Sequence, residues 1–337
     1  MNNQSEKRFR RFGILTIASV FFLILVGGLV RSTGSGMGCP DWPKCFGTWI
    51  PPTDASQLPA NYKDIYRVGE HEIADFEVYK TWIEYVNRLI GVLIGFFIFL
   101  TMFFAIPYLK KDKTVFYLSL FAFLLVGFQG WLGSLVVSSN LAHWMITIHM
   151  LVALLIVGLL IYTITRSQDF VIEQKETKPT LKIYAVLLLV LGVFQTVSGT
   201  QVREAVDIME KLNDGANRNL WIEGIISGNL TKAYDFGNYG ITFLVHRSSS
   251  LLNLLLVILL FAGIKKVFDR NSSLYKSLLA IILLVALQIF SGKVLEIMGL
   301  PKYVQSLHLF IGSLIIGAYL YVCILLYTKV KVTKLNN

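Results

Sequence analysis

The sequence predicts an all-α polytopic membrane protein whose eight transmembrane helices form two pseudo-symmetric four-helix bundles. Of the 337 residues, 55% are hydrophobic and only 15% are charged, whereas soluble domains carry about 25% charged residues. The chain also contains eight long apolar runs, and its second half repeats the polar pattern of its first half. This composition excludes a soluble multi-domain enzyme, a disordered chain and a small disulfide-rich scaffold.

Each apolar run is long enough to cross a bilayer as a helix, which takes about 20 residues. The predicted spans are residues 12–30, 82–108, 114–137, 142–165, 181–201, 239–264, 275–298 and 303–328. Two long connections, residues 31–80 and 202–238, follow span 1 and span 5.

The net charge of +10 does not indicate a nucleic-acid partner, because the basic residues alternate with the spans. Lys and Arg concentrate before span 1, between spans 2 and 3, 4 and 5, and 6 and 7, and after span 8. Positive residues mark the cytoplasmic side of a membrane protein. We therefore predict that both termini are cytoplasmic and that the two long connections face outward. The expected partner of the chain is the lipid bilayer and not a nucleic acid.

Spans 2–4 and spans 6–8 carry matching polar residues at one constant offset of 159. Span 1 matches span 5 at an offset of 172, which pairs Arg31 with Arg203. Gln129 and His149 are 20 residues apart, and so are Gln288 and His308. Because each repeat has an even number of helices, both halves have the same orientation in the membrane. The predicted halves are residues 1–170 and 171–337.

Three histidines, His149, His246 and His308, lie inside apolar spans. Ionisable side chains inside spans are unfavourable and usually face the interior of the helix bundle. His246 and His308 can point into one bundle core, where two facing histidines can ligate the iron of a heme. A histidine satisfied by its neighbours without any ligand is the alternative. Zinc would need further ligands, and no nearby cysteines or carboxylates supply them.

Two arginines directly follow matched positions of the repeat: Arg88 follows Asn87, and Arg247 follows His246. A guanidinium group binds a carboxylate through paired N–H donors, so each arginine is a candidate ligand for the propionates of a heme in its own half. Alternatively, each extends toward the outer membrane surface.

Glu84 breaks the symmetry of the repeat, because its counterpart on span 6 is Phe243. An acidic group inside a span is a candidate site residue. The alternative is an ion pair with Arg88, which lies four residues later on the same helix. The asymmetry predicts that the N-terminal half is the reactive one.

Cys39 and Cys45 lie in the first outward connection, within the segment GCPDWPKC. Two cysteines six residues apart on an oxidising side of a membrane can form a disulfide. Because the loop between them is short and faces an oxidising compartment, we predict that the two cysteines are joined. Spacing alone does not separate a structural disulfide from a redox-active pair, and a metal site is the remaining alternative.

Three segments of the chain resemble the heme A synthase family. They are LVRSTGSGMGCPDWPKCFG after span 1, TWIEYVNRLIG on span 2, and the surroundings of the histidines on spans 4, 6 and 8. The resemblance covers essentially the whole chain and is weakest over residues 202–238, which lack the second cysteine pair of some members. It implies oxidation of the C8 methyl group of heme O to a formyl group, which gives heme A for cytochrome oxidase.

The resemblance also implies roles for single residues. His246 and His308 would hold a heme b in the C-terminal half, whereas Glu84 and His149 would serve the substrate heme in the N-terminal half. The family pattern Glu-x-x-His on span 2 is Glu84-x-x-Asn87 in this chain. Because asparagine is a poor iron ligand, the hypothesis is that His149 alone ligates the substrate heme, with Asn87 or water opposite.

The resemblance further implies heme O as substrate, heme b as cofactor, and heme O synthase and an electron donor as protein partners, and it leaves a homo-oligomer open. The cysteine pair would assist electron or substrate handling. The expected location is the cell (inner) membrane, with the heme sites toward the outer side. A diheme b-type electron-transfer protein is the main rival, but Asn87 argues against two equivalent sites. A transporter would have spans broken by Gly or Pro, and these spans are unbroken.

Overall fold

The structure is a computed structural model, and it describes residues 3–69, 73–168, 178–212 and 238–327. Eight long helices account for the predicted spans, and each is long and apolar enough to cross a membrane. They are α1 (Asn3–Ser32), α2 (Val78–Ala105), α3 (Lys113–Ser138), α4 (His143–Arg166), α5 (Pro179–Leu212), α6 (Asn238–Ile264), α7 (Ser273–Ile297) and α8 (Lys302–Tyr327). The described residues form no β-sheet, and the predicted all-helical membrane fold is confirmed.

Several helices extend beyond the apolar runs that predicted them. α1 begins at Asn3, although its apolar run begins at residue 12. Its polar first turns are held by Glu6, which pairs with Arg10 and with Lys111, each at 2.9 Å. Hydropathy locates the membrane-embedded part of a helix, whereas polar contacts support the helical turns outside it.

The first compact unit comprises Met1–Ser167 together with Gln305–Phe310. Within it, α1 packs against α2 and α4, α2 packs against α3, and α3 packs against α4. This closed order makes α1–α4 a four-helix bundle. Apolar side chains from all four helices, and from the short 3₁₀ helix that follows α2, form a core at one end. They are Phe9, Ala105, Tyr108, Val115 and Ile164.

The second compact unit comprises Gln168–Val304 and Ile311–Asn337. In this unit α5 packs against α6, and α6 packs against α7. One apolar core draws buried side chains from all four helices, α5–α8. The most deeply buried include Leu188, Leu260, Leu278 and Tyr319.

The helix bounds follow the predicted repeat. The end of α6, both ends of α7 and the start of α8 lie 159 or 160 residues after the corresponding ends of α2, α3 and α4. The predicted boundary between residues 170 and 171 falls outside the described residues, so that division stays a prediction.

The connection between α1 and α2 is folded into a small cap on the first unit. It contains a 3₁₀ helix at Ala55–Gln57 and a single helical turn at Tyr62–Ile65. Apolar side chains bury the two cysteines there, and the cluster is Cys39, Cys45, Phe46, Val68 and Ile73. His71, and residues 213–237 of the other long connection, lie outside the described residues.

Candidate functional site

Glu84 lies near the start of α2 and is only 4% exposed. One carboxylate oxygen pairs with the guanidinium of Arg88 at 2.5 Å, and the other accepts the main-chain N–H of Cys39 at 2.7 Å. The ion pair that the sequence offered as an alternative is therefore formed, and it is buried. A carboxylate bonded on one side to a cation and on the other to an N–H group is held in a single orientation.

Cys39 and Cys45 form a disulfide, as predicted, and both residues are fully buried. The turn between them is closed by Asp41, whose carboxylate accepts the main-chain N–H groups of Phe46 at 2.6 Å and Gly47 at 2.8 Å. In this oxidised state neither sulfur is a thiolate that could ligate a metal.

Arg88 is directed into the disulfide turn. Its terminal nitrogens donate to the main-chain oxygens of Asp41 at 2.7 Å, Lys44 at 3.0 Å and Cys39 at 2.8 Å. Together with the bond to Glu84, these contacts use the paired donors of the guanidinium. The structure thus brings four predicted site residues together in one network: Glu84, Arg88, Cys39 and Cys45.

Asn87, Gln129 and His149 each carry a buried polar atom without a hydrogen-bond partner in the part of the chain that the structure describes. These atoms are Oδ1 of Asn87, Oε1 of Gln129 and Nδ1 of His149. Gln129 also donates from Nε2 to the main-chain oxygen of His149 at 2.8 Å, which ties α3 to α4. A buried polar atom without a partner costs about 1–3 kcal/mol. Unpartnered atoms on α2, α3 and α4 fit a ligand that binds among these helices.

His246 of α6 is held by one face of α5. Its Nδ1 lies 2.9 Å from the hydroxyl oxygen of Ser198, and its main-chain oxygen accepts from the Gln195 side chain at 3.1 Å. A Cβ on Gly199 would lie 3.2 Å from the imidazole ring, so glycine leaves room for the ring at this position. A partner on one ring nitrogen orients the imidazole, as in protein metal sites. These contacts fit an iron ligand.

Arg247 differs from its repeat counterpart Arg88. Its side chain is 50% exposed and its Nη1 lies 3.3 Å from Glu296, whereas the Arg88 side chain is 15% exposed. Glu296 also pairs with Lys293 at 3.1 Å. A half-exposed guanidinium retains room for a second carboxylate, so the geometry of Arg247 is compatible with a propionate.

His308 lies on α8 and is half-buried. Its predicted pairing with His246 around one iron stays a prediction. Among the described residues, no group of three or more His, Cys, Asp or Glu side chains could hold a metal ion. A heme needs only one or two protein ligands, so this donor set suits a heme better than a bare metal ion.

Comparison with known proteins identifies the family. The family model COX15-CtaA, described as cytochrome oxidase assembly protein, matches residues 10–320. The chain belongs to the COX15-CtaA family.

Three relatives, each named heme A synthase, match this COX15-CtaA chain over nearly their whole length. The protein of Pelagibacter ubique is 26% identical over 95% of this chain and 97% of its own. That of Wolbachia pipientis wMel is 27% identical over 91% and 90%, respectively. That of Wolbachia sp. subsp. Brugia malayi is 28% identical over 98% and 99%.

Sequence reasoning missed several residues that build the site of this COX15-CtaA protein. Ser198, Gln195 and Gly199 surround His246, but they lie in an apolar span whose alignment with α1 gives no polar match. The signal that could have found Ser198 and Gln195 is their spacing of three residues, which puts both on one helix face. Gln129 was noticed as a repeat marker, and the structure adds its contact with His149.

Proposed function

We propose that this protein is a heme A synthase, a membrane oxidoreductase that converts the C8 methyl group of heme O to a formyl group. The product, heme A, serves cytochrome oxidase. Family membership and the three near-full-length relatives support this function. The structural observation that carries it is the asymmetry of the halves. Glu84, a buried carboxylate, lies next to the disulfide turn and on the same helix as Asn87, whose Oδ1 has no partner among the described residues.

The first half is the proposed substrate side. His149 would hold the iron of the substrate heme O, and Asn87 would be too weak a ligand to complete its coordination. With water as the source of the formyl oxygen, conversion of the methyl group to a formyl group releases four protons and four electrons. Glu84 is the group placed to accept a proton or to stabilise positive charge, and the electrons pass to an electron acceptor outside this chain.

The second half is the proposed site of a resident heme b, whose iron His246 and His308 would hold and whose propionate Arg247 would bind. A heme held in this way would supply one-electron transfer. Ser198 would hold the His246 ring in a fixed orientation. The residues of the second unit fit this group because the ring is fixed on one side and Arg247 is half-exposed.

The proposed location is the cell (inner) membrane, with both termini cytoplasmic and the heme sites toward the outer side. The distribution of Lys and Arg supports this orientation, and so does the disulfide, since disulfides persist on oxidising sides of membranes. Heme O synthase and an electron donor are the proposed protein partners, and a homo-oligomer is compatible with this assignment.

The test is heme extraction and chromatography from cells that make heme O and depend on this protein for heme A. Expression of the wild-type chain should produce heme A, and purified protein should show the Soret band of a bound heme. Accumulation of heme O without heme A would refute the synthase. If the purified protein then showed two equivalent low-spin hemes, it would be the diheme electron-transfer protein instead.

A further inference from the structure

We infer that Arg88 is a positioning residue that fastens the disulfide ring, residues 39–45, to Glu84, and that it is not a ligand of a heme propionate. Four of its five N–H donors belong to the two terminal nitrogens. These nitrogens already have four protein acceptors: three main-chain oxygens of the ring and the Glu84 carboxylate. The fork that would bind a propionate is therefore occupied. The inference depends on the proposed function in one respect: the proposed function makes Glu84 the proton acceptor or charge-stabilising group of the reaction.

The contacts between the ring and α2 follow one helix face. Thr81, Glu84 and Arg88 are separated by three and four residues, so they lie on the same side of α2. Thr81 donates to the main-chain oxygen of Gly38 at 2.9 Å, one residue before the ring begins. A Cβ on Gly38 would collide with the main chain of α2, so glycine is required for this close approach. The ring is thus fastened along two turns of the helix.

Arg88 is more deeply buried than Arg247, its counterpart in the repeat. The Arg88 side chain is 15% exposed and the Arg247 side chain is 50% exposed. An enclosed guanidinium whose terminal donors are all engaged can take a new acceptor only by giving one up. Arg88 therefore acts through the ring and through Glu84.

When the disulfide ring moves away from α2, Glu84 loses its hydrogen bond from the ring at the same time. A reductant must reach a sulfur of the disulfide, and both cysteines are fully buried. The ring therefore has to open locally before it can be reduced. Arg88 opposes that opening because it binds main-chain oxygens at Cys39 and at Lys44, near the two ends of the ring. The same opening removes the Cys39 N–H from Glu84.

The test follows reduction of the disulfide in the full-length protein in native membranes. Dithiothreitol is added, new thiols are alkylated with a mass-tagged maleimide at timed intervals, and the rate is read from the gel shift. A Cys323→Ser background limits the signal to the ring. The variants are Arg88→Gln and the conservative Arg88→Lys. The matched control is Lys80→Gln, which removes a positive charge from an exposed ion pair eight residues earlier on α2.

We expect the ring of Arg88→Gln to be reduced about tenfold faster than that of the wild type, because hydrogen bonds to a charged group are lost. Arg88→Lys should lie between the two, because an ammonium keeps the ion pair but not the fork. Lys80→Gln should match the wild type. If Arg88→Gln does not accumulate in the membrane, the reduction rate of Arg88→Lys still tests the inference.

Wild-type reduction rates in both Arg88 variants would overturn the inference. Loss of bound heme O from Arg88→Gln at an unchanged reduction rate would also overturn it, since that pattern belongs to a propionate ligand. The reduction assay does not require heme A formation. Wild-type membranes that make no heme A would therefore refute the proposed function and leave the result for Arg88 standing.

Discussion

At the residue scale, Glu84 and Ser198 each have one contact that the sequence pattern did not contain. Besides its ion pair with Arg88 on the same helix, Glu84 accepts the main-chain N–H of Cys39. Ser198 contacts the ring of His246. The Glu84–Cys39 and Ser198–His246 contacts join residues that are far apart in the chain, so they arise only when the helices and the cap have packed.

Replacing Glu84 by glutamine tests the role of its charge. Glu84→Gln keeps the size of the side chain and can still accept the Cys39 N–H. Loss of a proton acceptor or stabilising charge should lower heme A formation about 100-fold or more, while the heme b of the other half remains bound. Heme extraction and the absorption spectrum of purified protein measure both quantities.

The control for this change is Glu77→Gln, because Glu77 belongs to an exposed ion pair just before α2. It should form heme A at the wild-type rate. Near-normal heme A from Glu84→Gln would show that Glu84 serves only as the ion-pair partner of Arg88.

Replacing Ser198 by alanine tests the support of His246. Without the hydroxyl at Nδ1, the ring has lost one restraint, and heme affinity should fall about 10-fold to 100-fold, as for other residues that orient metal ligands. Titration of the purified protein with heme measures this affinity. Ser250→Ala is the control, since that hydroxyl bonds only to the main chain of its own helix at Arg247. Equal affinities in both variants would exclude an orienting role for Ser198.

At the scale of helices, each half has its own buried polar pair, and the other half is apolar at the same positions. Thr16 and Thr101 are bonded at 2.9 Å between α1 and α2, and the positions that match them in the repeat are Leu188 and Leu260. In the second half, the Tyr319 hydroxyl donates to Asn253 between α8 and α6. Its counterparts are Ile94 and Leu160. The two halves therefore share a helix pattern but use different polar contacts to fix it.

Removing the Tyr319 hydroxyl tests this helix contact. Tyr319→Phe leaves a buried acceptor on Asn253 without its donor, which should lower the free energy of unfolding by about 1–3 kcal/mol. The midpoint of thermal unfolding in detergent reports the change. Tyr321→Phe, on the same helix and only half-buried, is the control and should change little. The double variant Asn253→Leu/Tyr319→Phe should recover part of the lost free energy of unfolding, because it removes the unpaired acceptor as well. Equal unfolding midpoints for all variants would show that the Tyr319–Asn253 hydrogen bond does not contribute to stability.

At the scale of the whole molecule, the alternation of basic connections predicts one orientation in the membrane. A cysteine placed at Ser56, in the cap between α1 and α2, should react with a membrane-impermeant maleimide added from outside intact cells. A cysteine at Asn271, between α6 and α7, should react only after the membrane is opened. The reverse pattern would invert the topology, and labelling of both from outside would contradict a multi-pass arrangement with these spans.

Much of the fold follows from hydropathy and repetition. The eight spans, the equal spacing of α2–α4 and α6–α8, and the disulfide were all predicted from the residues and are confirmed. Helix bounds were less accurate, as at Asn3, because polar turns outside the membrane depend on ion pairs such as Glu6 with Lys111. The folded cap between α1 and α2 has no periodic pattern, so its short helical turns could not be predicted.

The sequence identified the residues of the candidate site but did not predict most of the hydrogen bonds that join them. The sequence offered an ion pair between Glu84 and Arg88 as an alternative, but it treated the cysteine pair as a separate motif. The structure links them through hydrogen bonds to main-chain atoms, which have no residue-specific signal in a sequence.

By itself, the sequence determined the class of the molecule, the number of its spans, the repeat and the positions of the histidines within the spans. These features depend on the solvation of each residue and on spacing along one helix, and both are local properties of the chain. Only the tertiary structure decided that Arg88 binds the disulfide ring and that Ser198 contacts His246. It also decided that Asn87, Gln129 and His149 have buried atoms without partners in the described part of the chain. The physical reason is that a hydrogen bond depends on distances between segments remote in the chain, and packing alone sets those distances.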